Sequence, residues 1–291
     1  MTNSPTIAAW IEAIRPRTLP VSVAGVVAAL ALSVSMGSVR WLPAILCVLF
    51  ALLCQVASNF ANEYFDFQAG IDRKGRSGPR RGVTEGDINP RSMLTAVWLT
   101  LFFACLTGLW LIYWGGVWLV LVGVFIVLGA LAYSAGPYPL SRHGLGEVAV
   151  LVFFGIIPVN LTFWLVSGYW TWTIVLFSLA IGLMSANVLL VNNFRDADDD
   201  LEVGKRTLAN IVGRKVAREI YLWNGILAFV LSVWGCLEDN IPGLGCVIYI
   251  LGHLWLWRRL RVRPGVSLSV LNPLLGQTAL LMLIYSIFLF F

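Results

Sequence analysis

The sequence predicts an all-α, polytopic membrane fold of nine helices, and three observations carry that expectation. Of 291 residues, 59% are hydrophobic and only 12% are Asp, Glu, Lys or Arg, against about 25% charged residues in a soluble domain. Runs of roughly 18 apolar residues, the length a hydrocarbon core about 30 Å thick demands, recur at about 19–36, 42–61, 94–112, 117–135, 148–166, 171–191, 220–237, 241–257 and 266–291. These Val- and Leu-rich runs lack the period-two alternation of a membrane barrel, so helices must satisfy their backbone in lipid.

The basic residues orient the spans. If the nine alternate, nineteen of the twenty Lys and Arg residues share one side and only Arg40 lies on the other. That bias assigns the N-terminus and the motif-bearing loops to the cytoplasmic side. It also accounts for the net charge of +5 without nucleic acid. Met1 to Trp10 show no basic n-region or small-residue cleavage site, so no cleavable signal is expected. Ile7, Trp10, Ile11 and Ile14 form a short amphipathic segment suited to the membrane interface.

Taken in order, the first span follows Arg15-Pro16-Arg17-Thr18-Leu19-Pro20 and is rich in Ala, Val and Gly, which suits close helix packing. The second delivers Asn59, Asn62 and Asp66 to the basic side, and a cationic loop from Phe67 to Arg91 follows. Spans three and four meet in a tight turn near Tyr113 to Gly116, with Trp110, Trp114 and Trp118 as an aromatic belt. Prolines and glycines make Tyr133 to Glu147 an ordered, non-helical loop. After a turn at Ser167 to Trp170, the sixth span brings Asn187, Asn192 and Asn193 to the basic side. Glu238 and Asp239 mark the far end of the seventh span, and Arg258 to Pro264 join the eighth and ninth. His253 and the five cysteines, Cys47, Cys54, Cys105, Cys236 and Cys246, sit in or near apolar runs without metal-type spacing and read as packing residues. No polar linker separates the spans, so residues 1–291 are expected to form a single domain.

Two stretches stand apart. Asn62-x3-Asp66 ends the second span and Asn192-x3-Asp196 ends the sixth, four helices later and so on the same membrane face. Residues four apart share a helix face. Asn62 and Asp66 therefore point one way, as do Asn192, Asp196 and Asp200 if the sixth helix runs two turns further. Clustered carboxylates and amides suit a hard cation such as Mg²⁺, which takes remaining ligands from phosphate. Arg76, Arg80, Arg81, Lys205 and Arg206 supply the complementary anion clamp. Metal ligands and cations at an interface, above an apolar bundle, describe a site for a diphosphate with a lipid tail. Asp198, Asp199 and Glu202 read as a solvated face.

These residues resemble the two aspartate-rich motifs of the UbiA-type intramembrane prenyltransferases, and within them the branch acting on 1,4-dihydroxy-2-naphthoate in menaquinone biosynthesis. Besides the Arg15 to Pro20 entry, the resemblance rests on Asn62-x3-Asp66-x5-Asp72, Gly78-Pro79-x-Arg81 with Gly86 and Ile88, Gly136-Pro137-Tyr138-Pro139 with Gly144-Leu145-Gly146-Glu147, and Asn192-Asn193-x-Arg195-Asp196-x3-Asp200 with Gly204-Lys205-Arg206-Thr207. It covers nearly the whole chain. Glu63 departs from it, standing where the family usually has Asp, and is not assigned as a primary ligand. The resemblance implies nine helices with the motifs after the second and sixth.

It further implies Mg²⁺ on Asn62, Asp66, Asp196 and Asp200, with Asp66, Asp72, Asp196 and Asp200 catalytic and Asp72 orienting or deprotonating an acceptor hydroxyl. Arg76, Arg81, Tyr138, Arg142, Lys205 and Arg206 would bind the donor diphosphate. Asn59, Phe60, Tyr64, Phe65, Tyr133 and Asn192 would line the acceptor and carbocation pocket. The reaction implied joins a polyprenyl group from its diphosphate to 1,4-dihydroxy-2-naphthoate with loss of CO₂ and diphosphate, giving demethylmenaquinol. Homogentisate or 4-hydroxybenzoate as acceptor, or a phytyl donor, is the alternative within the family. A bacterial inner membrane is the implied home, the bilayer the surroundings, and no obligatory protein partner is implied. A transporter fits less well, since the nine runs hold none of the strongly charged residue types that mark transport pathways.

Overall fold

A computed structural model describes residues 6–74, 80–261 and 268–291, and these are helical almost throughout. The helices are α1 (Ile7–Ile14), α2 (Leu19–Ser35), α3 (Trp41–Gln68), α4 (Gly82–Glu85), α5 (Pro90–Gly115), α6 (Leu119–Ala132), α7 (Gly146–Val150), α8 (Ile157–Ser167), α9 (Thr173–Glu202), α10 (Leu208–Glu238), α11 (Leu244–Arg259) and α12 (Asn272–Phe288). Seven helical stretches among the described residues are long and apolar enough to cross a membrane. The shorter α6 and α11 fall where the fourth and eighth spans are expected. All-α architecture and span order thus follow the hydropathy.

Three helices outrun their apolar stretches. α3 continues to Gln68 and α9 to Glu202, whereas hydropathy ends those spans near 61 and 191. α10 begins at Leu208 rather than near 220. Its first turn is started by the Thr207 N–H donating to Asn210 Oδ1 at 3.0 Å. A break follows at Gly213, whose φ of 77° a side-chain-bearing residue rarely adopts. Hydropathy registers where the bilayer ends, not where the helix ends.

α9 is the most buried of the seven stretches and forms the axis of the bundle. Against it lies a wide, π-type turn, Leu151–Ile156, between α7 and α8. Pro158, without an N–H, cannot donate to the carbonyl four residues back, and the Phe154 carbonyl faces the backbone of Gly25 on α2. Gly155 meets Gly182 so closely that a Cβ there would lie 2.3 Å from the Gly182 Cα. Buried Ala24, Ala28, Ala29 and Ala31 on α2, Ala180 on α9 and Ala279 on α12 extend this small-residue packing. The amphipathic expectation for residues 7–14 is met in α1, which buries Ala9 and Ala13 and leaves Ile7 and Ile11 exposed. His253 is a packing residue, stacked on Tyr221 with ring centroids 4.7 Å apart and directed at the Leu222 carbonyl at 3.3 Å.

Candidate functional site

The overrun of α3 and α9 brings Asn62 and Asp66 from one motif and Asn192 from the other to one cavity of about 500 Å³, while Asp196 and Asp200, both buried, lie outside its wall. On α3 the wall is Gln55, Ser58, Asn59, Asn62 and Asp66, spaced i, i+3, i+4, i+7 and i+11 along one helical face. On α9 it is Ser185, Val188, Leu189, Asn192 and Asn193, with Arg195 behind them. The turn before α2 adds Arg15 and Arg17, and the loops add Arg80, Arg81, Tyr133, Ser141 and Lys205.

Asp66, only 3% exposed, accepts from Asn62 Nδ2 at 2.8 Å on one oxygen and from Arg142 Nη2 at 2.7 Å on the other. Arg142 also donates to the carbonyls of Phe65 and Ser134, at 3.2 Å each. Asn62 Oδ1 accepts from Arg15 Nη2 at 2.7 Å. The second motif repeats the pattern. Arg195 grips both oxygens of Asp196, at 2.6 and 2.8 Å, and reaches Asn192 Oδ1 at 2.9 Å. Lys205 Nζ lies 3.2 Å from Asp200 Oδ1.

The loops bearing Arg142 and Lys205 are joined through their backbones. Gly144 N–H donates to the Arg206 carbonyl at 2.7 Å and Arg206 N–H to the Arg142 carbonyl at 3.1 Å. Thus the counter-ions of the two motifs ride on one short parallel bridge. Asn59 belongs to the scaffold of this end: its amide donates to the Ile14 carbonyl at 2.8 Å and to Thr18 Oγ1 at 3.2 Å, pinning α3 to the α1–α2 turn.

Several expected site residues lie elsewhere. Phe60, Tyr64 and Phe65 pack in the apolar cluster around α1 and α5 instead of lining the cavity, and Phe60 meets Trp10 edge-on at 5.7 Å. The reason is helical period: on a helix whose cavity face holds 55, 59, 62 and 66, positions 60, 64 and 65 project around other sides. Tyr133 does line the cavity, joined there by Phe154, an aromatic residue that sequence alone did not single out.

Tyr138 is 57% exposed and stacks on His143 at 3.7 Å, away from the cavity wall. The Arg206 side chain is exposed, and it is the Arg206 backbone that joins the two loops. Asp72 is buried beside Arg81, Nε to Oδ2 3.2 Å, and is absent from the cavity wall. It holds Arg81 in place rather than facing an acceptor hydroxyl. Arg76 lies outside the described residues.

Glu63, 1% exposed, turns away from the cavity and accepts the Val83 N–H at 3.0 Å, seating α4. Sequence reasoning had Arg195 and Arg15 in motifs but gave them no role at the site. Their signal was position: one residue before Asp196, and at the mouth of the first span. Asn193 Nδ2 donates to buried Glu147 Oε1 at 2.9 Å, tying α9 to α7.

Among the described residues no three His, Cys, Asp or Glu side chains gather closely enough to hold a metal alone. The donor set is two half-sites of amide and carboxylate oxygen on two helices. That composition fits a hard divalent cation that completes its shell from a bound phosphate. A second cavity of about 400 Å³, almost wholly apolar, runs between α2, α3, α5, α6 and α8. Gln55, Ser58, Tyr133, Val150 and Phe154 line both cavities, so the polar and apolar spaces adjoin.

Such a bundle of long apolar helices defines an integral membrane protein. The model of the UbiA prenyltransferase family matches residues 21–289, and the chain belongs to that family. It is 33% identical over 290 residues to the 1,4-dihydroxy-2-naphthoate octaprenyltransferase of Mycobacterium leprae, covering 97% of this chain and 95% of that one. With the enzyme of the same name from Haemophilus influenzae the identity is 35% over 291 residues, covering 96% and 93%. The solved structure of a UbiA homolog from Archaeoglobus fulgidus bound to GPP and Mg²⁺ shares the fold, with a TM-score of 0.66 at 14% identity over 97% of this chain and 99% of that one.

Proposed function

We propose that this protein transfers a polyprenyl group from its allylic diphosphate to 1,4-dihydroxy-2-naphthoate, releasing diphosphate and CO₂ and forming demethylmenaquinol. One observation carries the reading of the donor: Asn62 and Asp66 of one motif and Asn192 of the other line a cationic cavity that adjoins an apolar one. A diphosphate with an isoprenoid tail matches both halves. The acceptor is inferred from relatives of that printed activity, similar over nearly the whole chain.

Asn62 and Asp66 on one helix, with Asp196 and Asp200 on the other, would hold Mg²⁺. The ion, when bound, neutralises charge developing on the leaving diphosphate. Arg81, oriented by Asp72, and Lys205 donate to the remaining phosphate oxygens. A donor held in advance, as Arg81 is by Asp72, costs no reorganisation as the allylic C–O bond ionises. Tyr133 and Phe154, at the junction of the cavities, offer π-faces to the carbocation and keep water from it. The ring carbon bearing the carboxyl group then attacks the cation, and CO₂ leaves. The nineteen-to-one bias of basic residues supports placing this end on the cytoplasmic side of a bacterial inner membrane.

The test is product formation by purified protein in nanodiscs with Mg²⁺, 1,4-dihydroxy-2-naphthoate and a set of allylic diphosphates, followed by mass spectrometry. Asp66→Ala and Asp196→Ala are each expected to lower turnover at least about 100-fold, as loss of a key electrostatic group does. Turnover with homogentisate or 4-hydroxybenzoate but not the naphthoate would overturn the acceptor and keep the chemistry. Absence of product with every acceptor would overturn both.

A further inference from the structure

Every oxygen that the proposed metal would use, and for which a contact is described, is already in contact with a nitrogen donor. Asp66 is held by Arg142 and Asn62, Asp196 by Arg195 on both oxygens, and Asp200 by Lys205. The Asn62 amide oxygen faces Arg15, and that of Asn192 faces Arg195. Among these paired groups three nearly buried carboxylates stand against four cations, a net of one positive charge, and Arg17 on the cavity wall lies outside this count.

A divalent ion arriving alone would raise that charge to three and would have to displace guanidinium groups with no anion to receive them. The same ion arriving with a diphosphate trianion brings these groups to neutrality. The displaced cations then regain their hydrogen bonds by donating to phosphate oxygens, which match a guanidinium as well as a carboxylate does.

We propose that Arg142, Arg195 and Lys205 are exchangeable counter-ions, holding the motif carboxylates when the diphosphate is absent and turning onto it as metal takes their place. The inference rests on the metal and diphosphate reading of this site. Its consequence is that metal and diphosphate bind strongly only as a pair. The backbone bridge between Gly144, Arg206 and Arg142 links two of the three exchanges, because Arg142 and Lys205 sit on its two strands. Release of Asp66 and release of Asp200 are therefore coupled across the two motifs.

The experiment is calorimetry on the full chain in detergent, titrating Mg²⁺ alone, inorganic diphosphate alone, and Mg²⁺ in the presence of diphosphate. Each partner should tighten the other's binding by the same factor, on the order of 5- to 150-fold, as linkage requires. Arg142→Gln should bind Mg²⁺ alone more tightly than the parent and diphosphate alone more weakly, shrinking the coupling. Lys205→Gln, on a partly exposed loop, should do the same if the first variant fails to fold. A residue with only a structural role would weaken both ligands together, and that result overturns the exchange. So does Mg²⁺ binding the parent equally well with and without diphosphate, which leaves the metal reading standing. No Mg²⁺ binding even with diphosphate would overturn that reading and the exchange with it.

Discussion

Gly155→Ala tests whether the close approach of two helix backbones sets the geometry of the cavity. A Cβ at 155 would lie 2.3 Å from Gly182 Cα, 2.5 Å from Gly182 N and 2.6 Å from the Ser178 carbonyl oxygen. Non-bonded carbons settle at roughly 3.5–4.0 Å, so the π-type turn and α9 must part by a little over 1 Å. All three neighbours are backbone atoms, and none can rotate aside. The cost should reach the upper end of the overpacking range, about 3 kcal/mol. By the scaling of soluble domains that lowers the unfolding temperature by on the order of 10 °C.

The functional loss should be larger than the loss of stability suggests. Phe154, next to Gly155, and Val150, one turn earlier, line both cavities, while the opposing helix carries Asn192. A misplacement of about 1 Å between such groups can cost on the order of 100-fold in rate. Thermal unfolding in detergent and product turnover measure the two effects. Gly276→Ala is the control, since nothing lies within 4 Å of a Cβ there. It should leave stability unchanged or raise it by up to about 1 kcal/mol. A Gly155→Ala protein that melts with the parent and turns over normally would refute the contact and its role.

Three further outcomes are expected. Glu63→Ala removes the acceptor of the buried Val83 N–H and should cost about 1–3 kcal/mol, read as a lowered unfolding temperature; an unshifted melt would show that α4 does not depend on this bond. Asp72→Asn should raise KM for the donor more than it lowers kcat, because Asp72 acts by holding Arg81. A pH–rate profile that lost its acidic limb at unchanged KM would instead make Asp72 the base for the acceptor. Dialysis against a chelator should abolish turnover and added Mg²⁺ should restore it, whereas full activity after chelation would remove the divalent ion from the reaction.

The membrane fold was legible because a bilayer forces long apolar helices, and hydropathy reads them directly. The two motifs were legible because Asn62 and Asp66, like Asn192 and Asp196, sit four apart, and that spacing alone puts them on one helix face. What escaped has definite causes. Once α3 and α9 leave the apolar zone their polar residues carry no hydropathy signal, so the turns that seat Asp66 and Asp200 were invisible to it. Phe60, Tyr64 and Phe65 looked like pocket residues because they neighbour the motif in sequence, but about 100° per residue sends neighbours to different faces. Tyr138 and Arg206 belong to loops, where side-chain direction is decided by a stacking partner or a backbone bridge that sequence does not print. The pairing of each acid with its own cation was legible as composition but not as contact.

The charge economy of the chain follows from where its few charges sit. Burying a carboxylate near a membrane is costly unless it is paired, and Asp66, Asp72, Asp196 and Asp200 each have a basic partner within hydrogen-bond or ion-pair reach. Those pairs offset the burial of the acids, and removing one member of a buried pair generally costs several kcal/mol. A ligand that separates them must therefore supply a replacement for each half: a cation for the acids and an anion for the bases. A metal diphosphate would, on the proposed function, do both at once, and the apolar cavity beside it would take the tail. On the proposed function, the pairs that let the chain fold with an acidic site in a membrane are the same pairs that exclude partial substrates. Selectivity for the complete donor then follows from the energetics of these ion pairs.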